Sequence, residues 1–222
     1  MQNLTSRIYA LIATGVLLGV LALPPAAQAQ RIGAGSNTFD IDARAGVTLP
    51  AGDIGDVADP GASFGLGLTY WFHNRLGVRL NGDLGLLSGL DADETGSSTE
   101  SPDIDVWRYT LGIVGRITPP SSRWDVTANL GAGGVSYSGD EFEGGPIAGQ
   151  ELSETYFSGT GGVRVGYDLT TSIGVFVGAQ AYYDFLDEDD TAAFAQAVPN
   201  EVDEGLESGW TFPIQGGIKI KL

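Results

Sequence analysis

Apolar and polar residues alternate along eight stretches of the chain with a period of two residues. In the first stretch, residues 39–49 read FDIDARAGVTL, so that apolar residues take every second position. This period is that of a β-strand, because successive side chains of a strand point to opposite faces. The pattern therefore predicts eight strands, at residues 38–49, 62–72, 75–87, 104–117, 123–137, 155–168, 172–185 and 209–222.

The connectors between these stretches alternate in length. Those after strands two, four and six are tight, at residues 73–74, 118–122 and 170–171, and the others are long, at residues 50–61, 88–103, 139–154 and 187–207. Barrels of the outer membrane have short periplasmic turns and long extracellular loops, with apolar side chains facing lipid and polar ones facing the lumen. We therefore predict an all-β fold, an eight-stranded antiparallel transmembrane up-and-down β-barrel. The alternative is a water-soluble barrel or sandwich, whose apolar face would form a core.

Aromatic residues gather at both ends of the predicted strands. Membrane barrels carry aromatic girdles where the bilayer meets water, and a water-soluble barrel does not need them. The girdles therefore favour the membrane barrel. Those at the short-turn end are Phe39, Phe72, Trp124 and Tyr167, and those at the long-loop end include Phe64, Trp107, Phe157, Phe185 and Trp210.

The N-terminal segment has the features of a secretory signal peptide. Arg7 supplies a positive flank, an apolar run follows from Ile8 to Leu23, and Ala27-Gln28-Ala29 forms a small-x-small cleavage site. We therefore expect residues 1–29 to be cleaved on export and residues 30–222 to form one barrel domain in the outer membrane of a Gram-negative cell. The chain has no cysteine, which excludes disulfides and a lipid anchor on a cysteine.

The layout resembles that of the small outer-membrane barrel family typified by the membrane domain of OmpA, OmpX and OmpW, which are porin-like barrels. The closing run, residues 212–222 (FPIQGGIKIKL), is similar to the family's C-terminal signal for the barrel assembly machinery. The family usually ends in an aromatic residue, whereas this chain ends in Leu222. The resemblance implies outer-membrane lipid as surroundings and the assembly machinery as a partner during biogenesis, and it leaves the oligomeric state open.

The formal charge of −17 is concentrated in the predicted loops. The four long connectors hold 21 of the 28 acidic residues and no lysine or arginine. Such a surface can be a solvated, repulsive crown, a binding site for divalent cations, or a docking surface for a basic partner. The densest run is the candidate cation-binding segment Asp187, Glu188, Asp189 and Asp190. Nucleic acid is disfavoured because the acidic crown would repel phosphates.

Charged residues of both signs fall on the predicted lumen face. Unpaired buried charges are costly, so these side chains are expected to pair, and eight strands leave an interior just wide enough for side chains to fill. We predict a plugged, salt-bridged lumen, with a narrow channel for small solutes or cations as the alternative. The predicted network consists of Asp42, Arg44, Arg79, Asp83, Arg108, Asp125, Arg164, Asp168, Asp184 and Lys219.

The sequence does not predict an enzyme. The single histidine, His73, lies in a short turn at the periplasmic end, so a Ser-His-carboxylate unit at the outer leaflet is not available. A carboxylate pair such as Asp83 with Asp184 could serve a lipid-modifying enzyme, but partnership with the lumen arginines is the simpler expectation. No cofactor is expected and no metal site is assigned. We predict a structural or surface-interaction protein that recognises partners through its acidic extracellular loops.

Overall fold

The structure, a computed structural model, describes residues 38–56, 58–89, 103–139, 153–186 and 208–222. The predicted signal peptide and most of three predicted long loops lie outside these residues. The described residues form eight strands and one short 3-10 helix, Asp53–Asp56. The strands are β1 (Thr38–Gly52), β2 (Ala58–His73), β3 (Leu76–Gly89), β4 (Ile104–Arg116), β5 (Trp124–Gly139), β6 (Ser153–Asp168), β7 (Ile173–Phe185) and β8 (Ser208–Lys221).

The strands close into a single barrel in chain order, with every neighbouring pair antiparallel. Closure is made by β1 and β8, where Ala43 lies opposite Ile218. Closure pairs the backbone groups of every strand, which lipid requires because it offers them no partner. The predicted fold class is thereby confirmed. Among the described residues, no helix is both long enough and apolar enough to span a membrane.

Side chains alternate between a polar lumen and an apolar outer surface. In β1, Asp40, Asp42 and Arg44 are buried, whereas Phe39 and Ile41 are exposed. The same arrangement holds in β4, where Arg108 is buried and Leu111 is exposed. A water-soluble barrel would have the opposite arrangement, with its apolar side chains inside. The outer surface is therefore suited to lipid and not to water.

Aromatic rings pack in pairs at both ends of the outer surface. At the short-turn end the ring centroids of Trp124 and Tyr167 lie 5.3 Å apart. At the long-loop end the rings of Tyr183 and Trp210 lie 4.8 Å apart, and Phe185 packs edge-on against Tyr183 at 4.6 Å. Trp124 and Tyr167, like Tyr183 and Trp210, lie on adjacent strands, as expected for cross-strand aromatic neighbours.

The first hairpin is longer than the sequence indicated. The predicted connector 50–61 is occupied mostly by strand, because β1 continues to Gly52 and β2 begins at Ala58. Gly52 adopts a φ of 66°, a left-handed conformation that favours glycine, and the 3-10 helix follows directly. This tight turn brings Ile54 into a buried position at the mouth of the barrel. Burial of Ile54 and Ala58 explains why the strands extend beyond the regular alternation.

Candidate functional site

The centre of the lumen is organised around one carboxylate, that of Asp42. Asp42 is the fifth residue of β1 and lies opposite Gly67 of β2 and Lys219 of β8. Three guanidinium groups surround it: those of Arg44 at 2.9 Å, Arg79 at 2.8 Å and Arg164 at 3.2 Å. Arg164 reaches Asp42 from β6, across the lumen. One buried acid therefore holds together side chains from three separate strands.

Asp83 on β3 is the second acid of this central cluster. Arg44 donates to its two oxygens, from Nη2 at 2.7 Å and from Nε at 3.1 Å, in the bidentate geometry typical of strong arginine–carboxylate pairs. The Tyr182 hydroxyl of β7 donates to the same carboxylate at 2.8 Å. Gln215 of β8 contributes a longer hydrogen bond of 3.4 Å. Asp83 therefore ties β3 to β1, β7 and β8 through the lumen.

Glycines of β2 make room for this cluster. A Cβ atom at Gly67 would lie 2.3 Å from Nη2 of Arg79, and one at Gly65 would lie 2.4 Å from Oδ1 of Asp83. Any larger residue at these two positions would displace the guanidinium or the carboxylate. The glycine content of β2 is therefore part of the charged site.

A second cluster lies near the short turns. Asp125 of β5 accepts from Arg116 at 2.8 Å and from the ammonium group of Lys219. Asp168 of β6 pairs with Lys221 and lies 3.5 Å from Lys219. Asp40 and Trp71 also belong to this cluster. The Trp71 indole N–H donates to Asp40 at 2.8 Å. Arg116 lies 3.9 Å from Asp40, and its guanidinium stacks 4.1 Å from the centroid of the Trp71 ring.

A third cluster lies toward the long-loop end. Arg108 of β4 donates to Asp184 of β7 at 2.6 Å, across the barrel interior. The Tyr137 hydroxyl donates to the same Asp184 oxygen at 2.5 Å. The Arg108 guanidinium also lies 5.0 Å from the centroid of the Tyr182 ring, within cation–π range. All of these side chains are buried.

Apolar residues close the lumen above the third cluster, at the end from which the long connectors leave. This apolar layer differs from the polar lumen face that the sequence predicts. The signal was present: Leu87, Val106 and Val135 occupy inward positions of the same period-two pattern. The layer consists of Ile54, Ala58, Leu87, Ile104, Val106, Val135 and Tyr137, with Tyr156 and Leu186 packed against it.

The structure places all ten residues of the predicted network inside the barrel and gives each at least one partner of opposite charge. It adds side chains that the prediction omitted, namely Asp40, Arg116, Lys221, Tyr137 and Tyr182. Sequence could place these five on lumen positions, but their partners depend on how the strands are staggered. The predicted cation-binding segment, residues 187–190, lies outside the described residues.

Asp83 and Asp184, the candidate carboxylate pair, each bind an arginine and a tyrosine. His73 is exposed at the β2–β3 turn, where its Nδ1 accepts from the backbone N–H of Arg75 at 3.3 Å. Within the described part of the chain, no group of three or more His, Cys, Asp or Glu side chains is arranged to hold a metal ion.

Comparison with known proteins identifies the same architecture. A family model described as "Outer membrane protein beta-barrel domain" matches residues 13–220. The fold is similar to the crystal structure of Neisserial surface protein A (NspA), with a TM-score of 0.56 and 12% identity over 83% of this chain and 97% of that chain. It is also similar to a major outer membrane protein from Thermus thermophilus, with a TM-score of 0.54 and 13% identity over 84% of this chain and 100% of that chain. At such identities the structural likeness shows the fold alone. A search of curated protein sequences finds no match.

Proposed function

This chain belongs to the outer membrane protein β-barrel domain family and is located in the outer membrane, and from that premise we propose that it is a closed scaffold that presents acidic loops for recognition at the cell surface. The barrel supplies the anchor, and the loops carry the specificity. This role requires neither a catalytic centre nor a conducting lumen.

The observation that carries this proposal is the filled lumen. Three clusters of charged side chains occupy successive levels of the interior, and the apolar layer covers the outermost level. The central level retains a cavity of about 20 Å³, close to the volume that one water molecule needs. A solute path would require these ion pairs to break, and breaking a buried pair is costly. The interior is therefore better suited to stability than to transport.

The loops are the part of the chain left to act at the surface. The connectors after β1, β3, β5 and β7 all leave the barrel at one end, because each strand runs antiparallel to its neighbours in chain order. The first of them is short, since β1 ends at Gly52 and β2 begins at Ala58. Their sequences are acidic and lack lysine and arginine. Dense negative charge at one end attracts cations and steers basic partners toward it. We therefore expect the ligands of this surface to be divalent cations or a basic protein surface.

A narrow channel is the second candidate, since the lumen is lined with charged side chains. The width of an eight-stranded barrel argues against steady conduction. A lipid-modifying enzyme has less support, because Asp83 and Asp184 are both committed to arginine partners. The proposal also includes export by cleavage of residues 1–29 and insertion by the barrel assembly machinery.

Neutralising the last loop tests loop recognition. In the variant Asp187→Asn, Glu188→Gln, Asp189→Asn and Asp190→Asn, we expect affinity for polylysine to fall on the order of tenfold at low ionic strength, since steering by clustered charge is lost. The measurement is isothermal titration of the detergent-solubilised protein with polylysine and, separately, with calcium. The matched control removes the same charge from the third loop by Asp140→Asn, Glu141→Gln, Glu143→Gln and Glu151→Gln.

The two variants distinguish a local cation site from a distributed acidic docking surface. Loss of calcium binding in the first variant alone would indicate a local cation site at residues 187–190. An equal loss of polylysine binding in both would indicate a distributed acidic docking surface. Unchanged binding of both probes in both variants would contradict recognition through the loops.

A further inference from the structure

The central cluster of the lumen carries more positive than negative charge. Three arginines, Arg44, Arg79 and Arg164, face two acids, Asp42 and Asp83. The three arginines are only 7%, 4% and 8% exposed, respectively. One positive charge is therefore left without a compensating side chain in a buried site, and a buried charge in that state is costly.

The other two clusters do not offset this charge. The cluster near the long loops pairs one arginine, Arg108, with one acid, Asp184. The cluster near the short turns contains three acids and three bases, which are Asp40, Asp125, Asp168, Arg116, Lys219 and Lys221. Both are neutral within the described residues. The ion pairs of the described lumen therefore include one more positive than negative side chain.

Of the three arginines in the central cluster, Arg164 is the one with a buried donor that has no partner among the described residues. Its Nη1 donates to Asp42 at 3.2 Å and its guanidinium stacks 4.6 Å from the centroid of the Phe176 ring. Its Nη2 is buried and has no hydrogen-bond partner among the described residues. Buried guanidinium donors normally have a hydrogen-bond partner. The partner of this N–H group is therefore expected to be a species other than the polypeptide.

The cavity of the central level is lined in part by Arg164. Its volume is about 20 Å³, and its walls include all three arginines of the cluster. The side-chain amides of Asn129, Gln180 and Gln215 also line it. An amide can present either its oxygen or its two N–H donors to a bound species. The cavity lining therefore combines net positive charge, an arginine with one unfilled donor, and the amides of Asn129 and Gln180, whose N–H groups can donate to an anion.

We propose that this cavity binds one small monovalent anion, with chloride as its natural representative. A single water molecule needs about 10–15 Å³, so a cavity of about 20 Å³ has room for one small bound species. Water could satisfy the Arg164 donor, but it could not compensate the excess charge. The bound anion neutralises the cluster and is a resident structural ligand. It requires no path through the lumen, so this site is independent of the proposed function of the loops.

The test is the stability of the folded barrel as a function of chloride. Urea unfolding of the detergent-solubilised protein is followed at constant sodium concentration while chloride replaces gluconate. A ligand that binds only the folded state lowers the unfolding equilibrium constant, tenfold for each tenfold rise in concentration above the dissociation constant. We expect this dependence for chloride and bromide. Equal stability in chloride and gluconate would overturn the proposal and leave the cavity to water.

Three variants assign the effect to the cavity. Arg164→Gln removes the excess charge and is expected to abolish the chloride dependence. Asn129→Asp places a carboxylate in the cavity wall and is expected to abolish the chloride dependence as well. This second variant leaves the Asp42 ion pairs in place, so the test remains possible if Arg164→Gln fails to fold. Arg123→Gln changes an exposed arginine of the β4–β5 turn and should keep the full dependence. Persistence of the dependence in the Asn129→Asp variant would place the anion elsewhere and refute the assignment.

Discussion

Replacing Asp42 by asparagine is expected to destabilise the folded barrel by about 3–5 kcal/mol, the range for breaking a buried ion pair on one side. Asparagine has nearly the same volume, so the change removes charge and leaves packing intact. Three arginines would lose their common acceptor, and Asp83 alone would remain to compensate them. The measurement is the free energy of unfolding in urea, with the protein in detergent micelles or liposomes.

Asp59→Asn is the control for this change. Asp59 lies at the start of β2 and is only partly buried. Surface substitutions away from such networks usually change stability by less than about 0.5 kcal/mol. If Asp42→Asn lowered the free energy of unfolding as little as Asp59→Asn, the lumen charges would be solvated. Their ion pairs would then not stabilise the filled interior.

Replacing Leu111 by arginine is expected to destabilise the barrel in a bilayer by about 2–4 kcal/mol, the cost of an arginine on the lipid face near the midplane. Leu111 lies in the middle of β4, opposite Leu80 of β3 and Ala132 of β5, and is 59% exposed. In water such an exposed position would accept arginine at little cost. The substitution therefore asks directly whether lipid covers this surface.

Ile117→Arg is the matched control, because Ile117 is 61% exposed and lies just beyond the last residue of β4, at the short-turn end. Near the interface the cost of arginine falls to about 0–1 kcal/mol. Both variants are compared by unfolding in liposomes. Equal costs at the two positions would mean that depth in the membrane does not matter and would contradict the assignment of this face to lipid.

The sequence was sufficient to predict the strands and the faces, because both follow from local alternation. The observed ends of most strands lie within two residues of the predicted ones. The principal difference is the first hairpin, where Ile54 and Ala58 are buried at the mouth of the barrel. Local alternation does not predict the burial of these two residues, because the turn between β1 and β2 places them over the lumen.

The partners within the lumen were harder to predict, since they depend on the stagger between strands. Arg44 lies opposite Gly65, and Gly65 lies opposite Asp83, so the arginine reaches its acid across a strand that offers no side chain between them. Arg108 lies directly opposite Asp83 but binds Asp184 across the lumen. Stagger is set by closure of the whole barrel and not by any one segment.

The closed lumen is the central claim, and single-channel recording in a planar bilayer tests it most directly. Insertion is verified by protease protection of the same preparation, and a wide porin serves as a positive control for the bilayer. We predict that the inserted protein shows no steady conductance steps in concentrated potassium chloride. Steady, ion-selective steps whose size changes in Arg79→Ala or Arg164→Ala would show a path through the arginine cluster and would contradict the account.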